Sequence, residues 1–242
     1  MKRIFEGQSE EELSKIKEIF KTNYSSSLVD KGLFEFGKLI PEEMLPVVKM
    51  IEPVASEFLS GLNAYKTKKE LENIEDALAR VILVLREHHE EILCLPEEFR
   101  RDISIIYLEH CKETHQKEKI KYFHNIWVNE LINADINLDE NAYIFNLVAS
   151  LRLEEILILK FVYQLVREKS PPFVDIFEIA KMMNIDAKRV QQLCNGLQGK
   201  GLLHPVYTAG DLDGITAPQN FLITDYVEIL IKYITEPKFN KK

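Results

Sequence analysis

Hydrophobic residues recur at helical spacing through most of the chain, and helix-breaking residues are concentrated towards its C-terminal end. No glycine lies between Gly61 and Gly196, and neither glycine nor proline lies between Pro96 and Pro171. Leucine, isoleucine, glutamate and lysine fill this tract, and none of them carries the entropic or steric penalty that glycine and proline impose on a helix. The pattern therefore predicts helices through the centre of the chain and a turn-rich region after residue 196.

The N-terminal part is predicted to be a series of helices. Ser9 and Glu12 have the spacing of a capping box, and a helix is expected to follow them to residue 20. The remaining predictions are short helices over residues 33–63, a longer helix over 68–94, one or two helices over 99–133, a turn over 133–141, and one or two buried helices over 143–166.

Start and stop signals mark two helices joined by a short turn in the C-terminal third. Asp175 and Glu178 repeat the capping-box spacing, which predicts the start of a helix. Asn184 tolerates the left-handed conformation that ends a helix, and Asp186 can cap the helix that follows. The two helices are therefore expected to be separated by only a few residues.

The second of these helices and the segment after it predict a packed helix followed by a β-hairpin. Glycines after residue 198 end the helix, and strands are predicted over 202–208 and 220–224, with a turn between them. Asp225 with Glu228 is expected to cap a last helix. The predicted buried stripe of the second helix has the spacing i, i+3, i+4, i+7 and consists of Val190, Leu193, Cys194 and Leu197.

This succession of elements resembles the winged helix-turn-helix family. The stretch IFEIAKMMNIDAKRVQQLCNGLQGKGLLHP carries the resemblance, with the small Ala180 at the helix crossing and KGLL leading into the first strand. A helix over 153–166 would precede the module, with Glu154 and Glu155 complementing the helix dipole in its first turn.

The resemblance implies a mainly α fold with two domains. An all-α helical domain is expected over residues 1–140, and a winged-helix domain with a short β-hairpin over residues 141–242, its core over 171–235.

The exposed face of the second helix is the candidate contact surface. At about 100° per residue, the face opposite the apolar stripe carries Lys188, Gln192 and Asn195, flanked by Arg189 and Gln191. Amide side chains can pair bidentately with adenine, and Lys or Arg can meet guanine or phosphate. If this helix enters a major groove, these five residues would contact duplex DNA.

The charge of the chain argues for an alternative. The formal net charge is −8, and residues 171–242 contain eight Lys or Arg and eight Asp or Glu, so the predicted module is neutral. The predicted hairpin tip carries Asp211 and Asp213, whereas phosphate neutralisation supplies most non-specific affinity for nucleic acid. A protein-interaction scaffold, with a protein partner or a second copy of the chain in place of DNA, therefore stays open.

Two further segments resemble the bacterial Abi-alpha group, which is associated with abortive phage infection. The segments are KIKYFHNIWVNELINAD and NAYIFNLVASLRLEEILILKFVY. The resemblance implies a bacterial regulatory or defence-associated protein that acts by binding, and it carries over no catalytic residue. The positions that match the pattern are Phe123, Asn125, Leu131, Leu151, Glu155 and Leu159.

The residue patterns do not point to catalysis, a metal or a cofactor. The sequence contains no GxGxxG, GxxxxGK[ST], GxSxG or HExxH motif, so we expect no enzyme activity. Cys111 and His115 lie one helical turn apart beside His110, but no second pair supplies the remaining ligands. His124 shares a face with Trp127 and is expected to be partly buried and hydrogen-bonded to a neighbour.

The chain is expected to be cytoplasmic and to have no membrane partner. The segment after Met1 lacks the apolar core of a signal peptide, and no stretch approaches the roughly 20 apolar residues of a membrane span. The three cysteines have no CxxC spacing, unlike a secreted disulfide framework.

Overall fold

A computed structural model describes residues 68–133, 138–168, 173–207 and 219–235, together with Ser14. The helices predicted from Ser9 and over 33–63 lie outside the described residues, Ser14 excepted, which is helical. The predicted hairpin tip with Asp211 and Asp213 lies outside them as well. In the described ranges the protein is mainly α-helical with one small antiparallel sheet, as the sequence predicts.

Of the described residues, those up to Ala149 form one compact unit and those from Ser150 to Thr235 form a second. The division lies nine positions after the boundary that the sequence predicts at residue 140, so that most of the helix over 138–150 belongs to the first unit.

Four helices make up the described part of the first unit. They are α1 (Lys68–Leu93), α2 (Glu97–Glu113), α3 (Ile120–Asn133) and α4 (Leu138–Ser150), with a short 3₁₀ turn over Lys117–Lys119. The apolar pattern over 99–133 is therefore divided between two helices. The turn predicted over 133–141 is shorter than expected, because α4 already begins at Leu138.

Helices α1, α2 and α3 pack against one another around a set of aromatic side chains. Trp127 is buried and its indole N–H donates to Ser104 Oγ over 3.1 Å. Tyr107 is also buried, and its hydroxyl donates to the carbonyl of Ala77 in α1 over 3.2 Å. Both polar atoms are satisfied inside the core, which removes the penalty of burying them.

Four helices and three strands make up the described part of the second unit. They are α5 (Leu153–Glu168), β1 (Val174–Asp175), α6 (Ile176–Met183), α7 (Ala187–Gly199), β2 (Leu203–Val206), β3 (Asn220–Ile223) and α8 (Asp225–Ile234). The two predicted helices joined by a short turn and both predicted strands are present. Strand β1 is an addition, because the sequence analysis predicts no strand before the helix that begins at Asp175.

The three strands form one antiparallel sheet in the order β1-β3-β2. Val174 is paired with Phe221, and Leu203 is paired with Ile223. Helix α5 packs against α6, α7, α8 and the strands β1 and β3, and is thus the central element of this unit. The core side chains include Ile156, Leu159, Val190, Leu193, Leu197, Phe221 and Val227, all buried.

Most helix termini form where the sequence places them. Asp175 caps α6 by accepting from the backbone N–H groups of Phe177 and Glu178, and Asn184 ends α6 in the left-handed conformation at φ 54°. The prediction for α8 is wrong: its N-cap is Thr224, with no side-chain capping bond, and Asp225 is the first helical residue. Its carboxylate therefore acts on the helix dipole, as an acid in the first turn does.

Candidate nucleic-acid interface

Helix α7 presents a buried stripe to the second unit and a polar face to solvent. The residues of its predicted apolar stripe are each at most 1% exposed: Val190, Leu193, Cys194 and Leu197. On the opposite side, Lys188, Gln192 and Asn195 are exposed, as the periodicity predicts. The flanking residues Arg189 and Gln191 are half-buried. The five predicted contact residues therefore lie together on α7, three at the centre of its exposed face and two at its margin.

The turn before α7 sets where this face begins. Ile185 N–H donates to the carbonyl of Ala180 over 3.0 Å, which closes the end of α6. Asp186 Oδ1 then accepts from the N–H groups of Lys188 at 2.9 Å and of Arg189 at 3.3 Å. Because Asp186 takes up these donors with a negative charge, the N-terminus of α7 does not itself attract an anion. Any phosphate contact here must come from side chains.

Arg189 is joined to the neighbouring helix by an ion pair. Its Nη2 donates to Glu154 Oε2 in the first turn of α5, and the two side chains are 39% and 49% exposed. The sequence assigned Glu154 a role at the helix dipole and did not predict this pairing, because 35 positions separate the two residues. The guanidinium is thereby held at the edge of the polar face.

The amides of Asn195 and Gln192, at the centre of this face, differ in their surroundings. Gln191 Nε2 donates to Asn195 Oδ1 over 3.0 Å, which orients the Asn195 amide with its Nδ2 donors away from Gln191. Gln192 lies on the exposed side and keeps both a donor and an acceptor to offer. In a major groove, such an amide can satisfy the donor and acceptor of adenine together.

A buried ion pair fixes the other end of α7 to α5. Glu155 is 3% exposed, and its carboxylate accepts from Lys200 Nζ at 3.0 and 3.2 Å and from the N–H of Arg152 at 2.7 Å. A Cβ added to Gly196 would lie 2.6 Å from Glu155 Oε1, so any other residue there would force this carboxylate to shift. The sequence reasoning missed this contact, although a glycine inside a helix was its visible signal.

Two of the residues that the sequence analysis weighed as metal ligands lie inside the first unit. Cys111 is buried, and burial raises the pKa of its thiol. The His110 ring stacks on Phe123 and Phe145, each at 5.5 Å between centroids, and burial lowers its pKa. Among the described residues, His, Cys, Asp and Glu side chains nowhere come together in a group of three or more that could hold a metal ion.

Comparison of the chain with protein-family models, with curated proteins and with solved structures gives no match. Each helix in the described ranges is too short or too polar to cross a membrane.

Proposed function

We propose that the second unit is a winged-helix module that binds duplex DNA by placing α7 in the major groove. The observation that carries the proposal is the solvent-exposed polar face of α7, with Lys188, Gln192 and Asn195. The element order supports it: a leading helix, a short strand, two helices joined by a tight turn and a β-hairpin form the arrangement in which a second helix reads bases.

Each residue of the face has a distinct expected role. Lys188 supplies a cation for guanine or phosphate, and Gln192 offers the donor and acceptor that adenine requires. Asn195, whose Oδ1 already accepts from Gln191, presents its Nδ2 donors to acceptors such as guanine N7 and O6. The proposed base contacts are therefore made by Lys188, Gln192 and Asn195.

The charge around α7 predicts the character of this binding. Lys188 and Arg189 are offset by Asp186 and Glu154, so the first turn of the helix with its neighbours carries no net charge. Non-specific affinity depends mainly on neutralised phosphates and should be low. Binding that is weak on random DNA and strengthened by a preferred sequence is the expected result.

Fluorescence anisotropy with a labelled random-sequence duplex, about two helical turns long, tests the proposal. Binding is expected at about 50 mM salt and should weaken steeply by about 200 mM, because phosphate contacts release counterions. Lys188→Glu should raise the Kd about tenfold or more, since a cation becomes an anion at the groove. Lys232→Glu on α8 is the matched charge reversal and should leave the Kd within about twofold.

Selection of preferred sequences from a random duplex pool gives the second arm. Gln192→Ala should lose base preference at one position, equivalent to about 1–3 kcal/mol, while keeping the salt dependence. Absence of duplex binding by the wild-type protein at low salt would overturn the proposal.

The second candidate function is a protein-interaction scaffold that binds a protein partner or a second copy of the chain. Exposed apolar side chains favour it: Phe177 and Met182 on α6 are 54% and 57% exposed, and Tyr226 on α8 is 59% exposed. Sedimentation of the wild-type protein over a range of concentrations would detect self-association. The regulatory or defence-associated role implied by the Abi-alpha resemblance is compatible with either binding function.

A further inference from the structure

The Arg189–Glu154 ion pair links the edge of the proposed DNA-binding face to a helix outside it. Arg189 lies in the first turn of α7, where residues of an inserted helix come closest to bases and flanking phosphates. Glu154 lies in the first turn of α5. A carboxylate that binds this guanidinium occupies the donors that a phosphate would otherwise use, since both anions favour the same paired N–H groups.

Glu154, besides its place in the first turn of α5, is the acid that pairs with a cation of the α7 face. Asp186 is committed to the helix cap, where its Oδ1 accepts from two backbone N–H groups. Glu155 is committed to Lys200 and to the N–H of Arg152. Glu154 is about half exposed, and the interaction that its side chain makes among the described residues is the pair with Arg189.

We propose that Glu154 is an autoinhibitory side chain, which occupies Arg189 in the free protein and must be displaced before Arg189 can bind a DNA phosphate. This inference rests on the proposed DNA-binding function and names a regulation of that same face. Exposed ion pairs contribute little to stability, so a DNA site with favourable base contacts can displace the pair, whereas random DNA leaves it in place. While it persists, it keeps non-specific affinity low and makes binding depend on the base contacts of Gln192 and Asn195.

Glu154→Gln tests the inference because it removes the charge and keeps the shape of the side chain. On the random-sequence duplex the variant should bind about threefold to tenfold more tightly than wild type at low salt, because one more cation becomes available to the phosphates. The slope of log K against log salt should steepen by about 0.9, the value for one added phosphate contact. A role confined to holding α5 against α7 would not steepen this slope.

Two comparisons make the result specific. Glu228→Gln on α8 removes one exposed acid without touching α7 and should leave both affinity and slope unchanged. In an Arg189→Gln background, Glu154→Gln should have no further effect, because the cation that it restrains is gone. An equal gain in affinity with and without Arg189 would overturn the inference in favour of a general charge effect.

The outcomes separate this inference from the proposed function. If wild type binds duplex, Lys188→Glu weakens binding and Glu154→Gln changes nothing, then DNA binding stands and the autoinhibitory role is wrong. If wild type does not bind duplex DNA at low salt, the proposed function itself is wrong. Binding by wild type that tightens in Glu154→Gln, with the gain lost again in the double variant with Arg189→Gln, supports both.

Discussion

His124 is kept uncharged by its position among the aromatic side chains of the first unit. Its ring lies 5.9 Å from that of Trp127 and 6.1 Å from that of Tyr107, centroid to centroid. The residue as a whole is half-buried, but Nδ1 is buried and has no hydrogen-bond partner among the described residues. Burial, with the positive charge of Arg80 as a second cause, lowers the pKa of His124 to about 3.

This pKa predicts that acid destabilises the first unit through His124. A histidine in the unfolded chain has a pKa of about 6.5, so between that pH and about 3 the unfolded state binds the proton that the folded state excludes. The stabilising contribution is complete above pH 6.5 and is lost as the pH falls, by at most about 1.4 kcal/mol per pH unit. His110, whose pKa is also lowered by burial, adds a change of the same sign.

Urea unfolding at pH 7 and at pH 4.5, followed by Trp127 fluorescence, measures this effect. His124→Gln should lose less stability between the two pH values than wild type, because Gln does not titrate. His115→Gln, at an exposed position, should keep the wild-type difference. An unchanged pH dependence in His124→Gln would show that the ring is protonated freely in the folded protein.

Individual side chains also show which roles follow from local spacing. The residues of α7 that periodicity assigned to the core and to the exposed face lie there, since position on a helix depends on sequence separation alone. Nδ1 of His124 has no hydrogen-bond partner among the described residues, so this atom does not make the bond predicted for the residue. The partner of a buried polar atom depends on which helices enclose it, and spacing along one helix does not specify that.

At the scale of elements, the orientation of α7 depends on its close contact with α5. Gly196 lies against the buried carboxylate of Glu155, and Lys200 completes the contact one turn further along the chain. A buried carboxylate that loses its partner is costly, so this junction tolerates little displacement. The contact with Glu155 therefore fixes the orientation of the polar face of α7.

Gly196→Ala should destabilise the second unit by about 1–3 kcal/mol, because its Cβ would overlap Glu155 Oε1 and displace this buried carboxylate from Lys200 and from the N–H of Arg152. Gly199→Ala is the matched control: nothing lies within 4 Å of a Cβ there, and alanine is the better helix former, so the change should be neutral or stabilising by up to about 1 kcal/mol. Thermal unfolding monitored by far-UV circular dichroism compares them. Equal stability of the two variants would contradict the close approach.

A helix boundary can be predicted from the sequence where a capping residue itself begins or ends the helix. Asp175, Asn184 and Asp186 end or begin helices through bonds and backbone angles within a few residues, which a single sequence can reveal. Strand β1 lacks such a signal, because two residues are too few to show alternation. It is a strand because Val174 and Asp175 pair with Phe221 and Asn220, more than forty positions away.

At the scale of the whole molecule, the chain has two cores that can be observed separately. Trp127 is the only tryptophan of the sequence and is buried in the first unit, so its fluorescence reports on that core. Leu197 is buried in the second unit. Substitutions at buried positions of each unit therefore show whether the two units unfold together or separately.

Leu197→Ala should lower the stability of the second unit by about 2–5 kcal/mol, the usual cost of a core cavity. We expect the far-UV circular dichroism transition to begin at a lower urea concentration, while the midpoint of Trp127 fluorescence stays at its wild-type value. Ile126→Ala, a buried change beside Trp127 in α3, should lower the fluorescence midpoint. A fluorescence midpoint lowered by Leu197→Ala would mean that both units unfold as one.

By itself, the sequence determined the helical character of the protein, the two helices joined by a short turn and the two strands that follow them, and the residues that face outward on α7. These features depend on contacts within a turn or two of chain, so periodicity and capping residues specify them. Only the tertiary structure decided that Glu154 binds Arg189, that Glu155 binds Lys200, and that a two-residue strand completes the sheet. Such pairings join residues more than thirty positions apart, and they exist only after the helices have packed.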